Sequence, residues 1–144
     1  LDTLTRATEA VAAAATERDL PRLLSREHGK ILAESNFEMA TFGFFPATFA
    51  DAARTALQPR RTPEGMSCIT AEPVGVVAAI LPFNWPISVL GMKLVPALLA
   101  GNALVVKAPP TCPAAALEMA ALLAEALPEG LVSAVNAPGA ALGE

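Results

Sequence analysis

Three short apolar runs alternate with two helical stretches in the second half of this 144-residue chain, and that alternation narrows its possible folds more than any other feature. Residues 74–81 (VGVVAAIL) and 103–107 (ALVVK) read as buried strands, and residues 131–136 (LVSAVN) as a third strand. Runs with so little polar character suit a sheet covered on both faces. Between them, residues 87–100 put Leu90, Leu94 and Leu98 on one helical stripe, with Pro96 expected to kink the helix and Gly101-Asn102 to stop it. Pro113 suits the first turn of a second helix over residues 114–127, which Pro128-Glu129-Gly130 ends. Strand, helix, strand, helix, strand with short links is a pair of βαβ units, so the sheet should be parallel and its crossovers right-handed. Pro138-Gly139 then turns into a further element running to Glu144.

Residues 1–57 have a different character. They are alanine-rich, with leucines and charges at helical intervals. Leu20, Leu23, Leu24 and Glu27 precede His28-Gly29, and Ile31, Leu32 and Glu34 follow it, so helix is expected on either side with Gly29 as an interruption or a C-terminal cap. Phe37, Phe42, Phe44, Phe45 and Phe49 read as the packing core of that helical layer. Residues 58–72 turn polar, carrying Pro59, Arg60, Arg61, Pro63 and Gly65 before a β-tolerant run at 66–70. A hairpin or an extended connection on an exposed edge fits them.

Composition removes several classes of function. Net charge is −4 with the ten basic residues dispersed, which leaves no electrostatic footprint for nucleic acid. One histidine, His28, and two distant cysteines, Cys68 and Cys112, offer no zinc constellation. Two lone thiols fit a reducing, cytoplasmic setting, with oxidative pairing of the two left open. The alanine-rich start shows no basic stretch leading into an apolar one, so no secretory leader is expected. Residues 74–92 carry no charge, but Pro82, Asn84 and Pro86 interrupt them and Lys93 follows. A span broken in this way would strand backbone groups in lipid, so no membrane crossing is expected.

Ligands of parallel α/β sheets bind beyond the carboxyl ends of the strands. Three loops occupy that edge: residues 82–86, 108–113 and 137–139. In the first, Leu81-Pro82-Phe83-Asn84-Trp85-Pro86, two prolines fix φ and remove two backbone donors. A loop this stiff can aim the Asn84 amide at one spot, as an oxyanion donor must. The plainer alternative is that Asn84 caps the next helix. No GxGxxG follows the first strand, so a nucleotide would have to be held by the proline loops and by Lys107 at a strand end. Lys107 could equally be an ordinary snorkelling lysine.

Residues 72–113 (EPVGVVAAILPFNWPISVLGMKLVPALLAGNALVVKAPPTCP) resemble the aldehyde dehydrogenase superfamily. The resemblance rests on the P-F-N-W-P loop, the helix end Lys93-Leu94-Val95-Pro96-Ala97-Leu98-Leu99-Ala100-Gly101-Asn102, and the strand end Val105-Val106-Lys107, in that order. Ser25-Arg26-Glu27-His28-Gly29-Lys30 and residues 58–71 are also similar to that family, the latter to its oligomerisation strands. The likeness runs from about Pro21 and weakens in the alanine-rich start. It implies an α/β fold with a partial Rossmann-like parallel sheet and flanking helices, preceded by a helical segment (1–57) and hairpin-like oligomerisation strands (58–72), with a partial dinucleotide-binding domain over 73–144. It also implies NAD or NADP as cofactor, a small-molecule aldehyde as substrate, and a homo-oligomer. Asn84 would stabilise the oxyanion of a thiohemiacetal. Backbone from Leu81 through Pro82 and Phe83 would line the nicotinamide half of the cofactor cleft. Lys107 would hydrogen-bond the adenosine ribose, and Gly139 would allow close approach near the adenine. Trp85 and Met92 would border the aldehyde tunnel, with Lys93 near the catalytic water.

Two positions depart from the family pattern. Many members carry a glutamate three residues after the strand-end lysine, accepting from the ribose 2′-hydroxyl; here that position is Pro110. Ala137 stands where many relatives have glycine. The resemblance also puts the nucleophilic cysteine and the glutamate base beyond Glu144. Cys68 lies in the expected hairpin. Cys112 is expected at a helix N-cap, where the helix terminus could lower its pKa, but the resemblance assigns it no part. The chain is therefore expected to supply part of an NAD(P)-dependent aldehyde dehydrogenase and to be inactive alone. The alternatives are a truncated, non-catalytic α/β fragment or interaction module, and a separate mononucleotide-binding domain of other function.

Overall fold

The computed structural model describes residues 1–142. Four helices come first: α1 (Asp2–Glu17), α2 (Leu20–His28), α3 (Leu32–Phe42) and α4 (Phe45–Leu57). Gly29 ends α2 in the left-handed conformation at φ 86°, and its N–H donates to the Ser25 carbonyl. That is the C-terminal cap expected of a residue without Cβ. The polar stretch is a hairpin, β1 (Arg60–Arg61) paired antiparallel with β2 (Cys68–Ile69).

The alternating half folds as β3 (Val76–Ile80), α5 (Pro86–Leu99), β4 (Ala103–Lys107), α6 (Ala114–Ala126), β5 (Val132–Val135) and α7 (Gly139–Leu142). The three strands are parallel in the order β3-β4-β5, with Ile80 beside Lys107 and Lys107 beside Val135. The expected element after Pro138-Gly139 is α7; its continuation through residues 143 and 144 lies outside the described residues. Helix α5 runs on through Pro96, which sits in its last turn. Just beyond, Gly101 takes φ 83°, and a Cβ there would also crowd the Pro73 ring. Buried Asn102 joins the helix end to the sheet: its Oδ1 accepts from Gly75 N at 3.0 Å and its Nδ2 donates to Ala97 O at 3.2 Å.

Helices α5 and α6 cover one face of the sheet, and α1 to α4 pack outside them. The core lies between these layers, where Phe42, Leu90, Leu94, Val95, Leu104, Val106, Met119 and Leu123 are fully or almost fully buried. Each such side chain contributes about 1.5–3 kcal/mol by leaving water.

Two sequence expectations are corrected here. The strands are not buried on both faces: Val76 and Ile80 are each 65% exposed, and Val105 and Lys107 on the same face are only half-buried. Right-handed crossovers in this strand order put α5 and α6 on one side, so the continuous apolar runs stem from a second face that only α7 approaches among the described residues. The phenylalanines also divide. Phe42, Phe45 and Phe49 pack in sequence with ring centroids 6.4 Å apart at each step, whereas Phe37 and Phe44 are exposed.

Candidate functional site

The carboxyl ends of β3, β4 and β5 lie side by side. Leu81 N donates to Lys107 O at 3.0 Å, and Ala108 N donates to Val135 O at 3.1 Å, so the ladder continues into the loops. Leu81 is buried, and Pro82 half-buried beside it. The loop then carries Phe83 and Asn84 to the surface before Trp85, the N-cap residue of α5.

Asn84 does not cap α5. The N-terminal amides of Ile87 and Ser88 donate instead to Glu38 Oε2, at 2.9 and 3.1 Å. Helix α3 thus lends a carboxylate to the positive end of α5, where it satisfies orphan donors and meets the helix dipole. The other oxygen of Glu38 is paired with the ammonium of Lys30. Both side chains are buried, at 0% and 3% exposure. Lys30 in turn donates to the backbone carbonyl of Asn84 at 2.7 Å and lies 4.3 Å above the Trp85 ring. The Asn84 side chain is exposed, and the hydrogen bond made by this residue among the described residues runs through its backbone carbonyl, not its amide.

The preceding residue is held as well. The Phe83 ring stacks on His28 with centroids 6.3 Å apart, and the Cys112 thiol donates to the Phe83 carbonyl at 3.6 Å. Cys112 is not the helix N-cap expected from the sequence; Pro113 is. Burial pushes its thiol above the ordinary value, outweighing a hydrogen bond from Thr111 that acts the other way. The expectation of a lowered pKa is therefore corrected. The N-terminus of α6 is served by Glu27, whose two oxygens accept from Ala114 N and Ala115 N at 2.8 Å each.

Lys107 lies on the open face of the sheet. With Ala78, Ile80, Val105, Val135 and Gly139 it lines a cavity of about 360 Å³ beneath α7. No carboxylate pairs with it among the described residues, so an apolar floor there carries one uncommitted ammonium. That donor set suits a nucleoside, whose flat base needs apolar surface and whose hydroxyls need a donor. Gly139 has open space where a Cβ would stand. Lys107 and Gly139 are thus brought together, while Pro110 is exposed on the adjoining loop. Met92, two turns past Trp85 and on the same side of α5 by helical periodicity, is 52% exposed, and Lys93 beside it is exposed. Cys68 is exposed on the hairpin. Among the described residues no group of three or more His, Cys, Asp or Glu could hold a metal, and no helix is long and apolar enough to cross a membrane.

Three residues of this arrangement were given no site role from the sequence: Glu27 and Lys30, named only within the Ser25–Lys30 motif, and Glu38. Glu38 had a signal, being a lone carboxylate inside the apolar stretch Phe37 to Phe42, and an acid at such a position needs a buried partner.

The aldehyde dehydrogenase family model matches residues 2–144, so the likeness extends through the alanine-rich start where the sequence reading had it weaken. The 3,6-anhydro-alpha-L-galactose dehydrogenase of Streptomyces coelicolor is 38% identical over 134 residues, covering 91% of this chain and 27% of that protein. The succinate-semialdehyde dehydrogenase of Burkholderia pseudomallei superposes with a TM-score of 0.80 at 38% identity, over 98% of this chain and 30% of that one. An NADP-dependent glyceraldehyde-3-phosphate dehydrogenase from Bacillus halodurans, solved with NADP, gives a TM-score of 0.79 at 27% identity, over 99% of this chain and 31% of that one. The chain spans about 27% of the length of the curated relatives it matches. With the family model covering nearly every residue, the chain belongs to the aldehyde dehydrogenase family.

Proposed function

We propose that this chain supplies the oxyanion donor and part of the cofactor cleft of an NAD(P)-dependent aldehyde dehydrogenase, with the nucleophilic cysteine and the base contributed by further residues of a longer protein. The observation that carries this reading is the Asn84 loop: a side-chain amide left uncommitted at the carboxyl edge of a parallel sheet, on a backbone held by Lys30 and Cys112. When a thiolate adds to an aldehyde, the carbonyl oxygen gains a full negative charge. The Asn84 amide N–H would donate to that oxygen in the thiohemiacetal, and again when water attacks the thioester left once hydride has departed to the bound nicotinamide. Such a donor lowers each barrier by about 3–4 kcal/mol. Because the loop is braced beforehand, little reorganisation is needed as charge develops.

NAD or NADP would lie along the same edge and, when bound, would accept the hydride. Lys107 would donate to its ribose hydroxyls, Gly139 would leave room near the adenine, and the backbone from Leu81 to Phe83 would border the nicotinamide end. Trp85 and Met92 would present apolar surface to the aldehyde and Lys93 would sit near the catalytic water. Residues 58–72 would serve oligomer contacts. The test is turnover of the full-length protein carrying Asn84→Ala. A large fall in kcat with cofactor affinity kept is expected; equal turnover refutes the assignment.

A second reading, a non-catalytic interaction module, draws on the exposed apolar sheet face at Val76 and Ile80. The isolated chain would then bind a partner through that face and show no aldehyde oxidation in any longer form.

A further inference from the structure

We propose that Lys30 and Glu38 are positioning residues for Asn84. The inference rests on the oxyanion reading above and adds to it the device that sets where the amide stands. Lys30 and Glu38 lie in and before α3, a helix that belongs to the outer layer and has no place on the sheet rim. Yet their buried pair holds the backbone that leaves Asn84 at two levels. Lys30 holds the Asn84 carbonyl, and Glu38 holds the amides of Ile87 and Ser88 one turn further on. The Lys30 ammonium also rests on the Trp85 ring between these points.

The pair therefore fixes the peptide plane that follows the Asn84 Cα, and the Cys112 thiol holds the Phe83 carbonyl of the plane before it, while the Asn84 side chain itself is left untouched. Two prolines set φ at Pro82 and Pro86 but leave ψ of Asn84 free; a charged donor on its carbonyl oxygen restricts that remaining rotation. Rotation about ψ would swing the carbonyl away from the buried ammonium and cost a charge-assisted hydrogen bond, so the contact resists it. Within catalytic sites, displacement of a group by about 1 Å can lower the rate on the order of 100-fold.

The pair has a structural duty too, as the cap of α5, and the test has to separate the two roles. In the full-length protein, Lys30→Met combined with Glu38→Gln removes both charges together, and the glutamine oxygen still accepts from Ile87 and Ser88. This paired variant is made with Asn84 intact and again with Asn84→Ala. With Asn84 intact, kcat is expected to fall about 10–100-fold while KM for the cofactor stays unchanged. With Asn84→Ala, which already lacks the amide, the paired variant should lower kcat no further. Should the paired variant not fold, Lys30→Arg keeps the ion pair with Glu38 while displacing the donor on the Asn84 carbonyl, and carries the same comparison with a smaller fall.

Equal falls in both backgrounds would mean a general structural role and overturn the proposal, as would an unchanged kcat with Asn84 intact. An Asn84→Ala protein with full turnover would overturn the oxyanion reading itself, and the proposal with it. Those results are distinguishable in one set of assays.

Discussion

The carboxylate of Glu27 caps a helix that begins 87 residues later, accepting from Ala114 N and Ala115 N at 2.8 Å each. Helix α6 has no side-chain cap of its own, since Pro113 occupies its N-cap position. Glu27→Ala should therefore destabilise the fold by about 1–3 kcal/mol, the range for losing charge-assisted bonds to partly buried donors. Glu27→Gln should lose less, because one acceptor oxygen remains. Denaturant midpoints measure both; no change in the alanine variant would show that water replaces the carboxylate at no cost.

The buried pair of Lys30 and Glu38 makes a sharper stability prediction. Removing one partner strands the other charge, which costs about 3–5 kcal/mol in comparable sites. Lys30→Met and Glu38→Gln should each be strongly destabilising, whereas the two together should be markedly milder than the sum. Additive losses in a double-mutant cycle would mean that the two side chains act independently.

How much of this was legible beforehand follows the range of each interaction. The βαβ pattern, the hairpin at residues 58–72 and the Gly29 cap depend on neighbours in sequence, and each reads directly from local chemistry. The bracketing of Asn84 by Lys30 bridges 54 residues, and nothing near Asn84 announces it. The open face of β3 escaped for another reason: an apolar run specifies that both faces avoid water, not which stretch of chain covers them. At Cys112 burial decided the sign. The thiol lies one position before the N-cap, and desolvation outweighs the hydrogen bond from Thr111.

Packing at Gly91 gives a test that runs against helix propensity. Alanine in place of glycine within a helix ordinarily stabilises by up to about 1 kcal/mol. Gly91 lies in α5 against the ring of Phe45 on α4, and a Cβ there would overlap ring atoms. The Phe45 ring is itself held between Phe42 and Phe49, so it has little room to withdraw. Gly91→Ala should lower the unfolding midpoint, by about 1–3 kcal/mol of overpacking. A gain in stability would show that α4 can shift.

Cys112 should give the fold a dependence on alkaline pH. Its thiol is raised above the ordinary value of 9.0, chiefly by burial, so it is harder to ionise folded than unfolded. As pH climbs through that ordinary value the unfolded chain releases the proton first, and stability falls from there upward; below it the contribution is fully present. Cys112→Ala should flatten this alkaline loss. In the native protein, alkylation of exposed Cys68 should also outpace that of buried Cys112. Faster reaction at Cys112 would contradict the burial seen here.

Pro110 bears on the choice of cofactor. It is exposed three residues after Lys107, on the loop that follows β4. A carboxylate at that position would accept from a ribose 2′-hydroxyl and repel a 2′-phosphate; proline does neither. Without that carboxylate, selectivity against a 2′-phosphate is expected to relax. Full-length protein should therefore use NADP at an efficiency comparable to or above NAD, and Pro110→Glu should shift the ratio toward NAD. A shift of about tenfold corresponds to about 1.4 kcal/mol, a modest value for one charge removed from beside a phosphate. Strong exclusion of NADP by the unaltered protein would mean that another group reads the 2′ position.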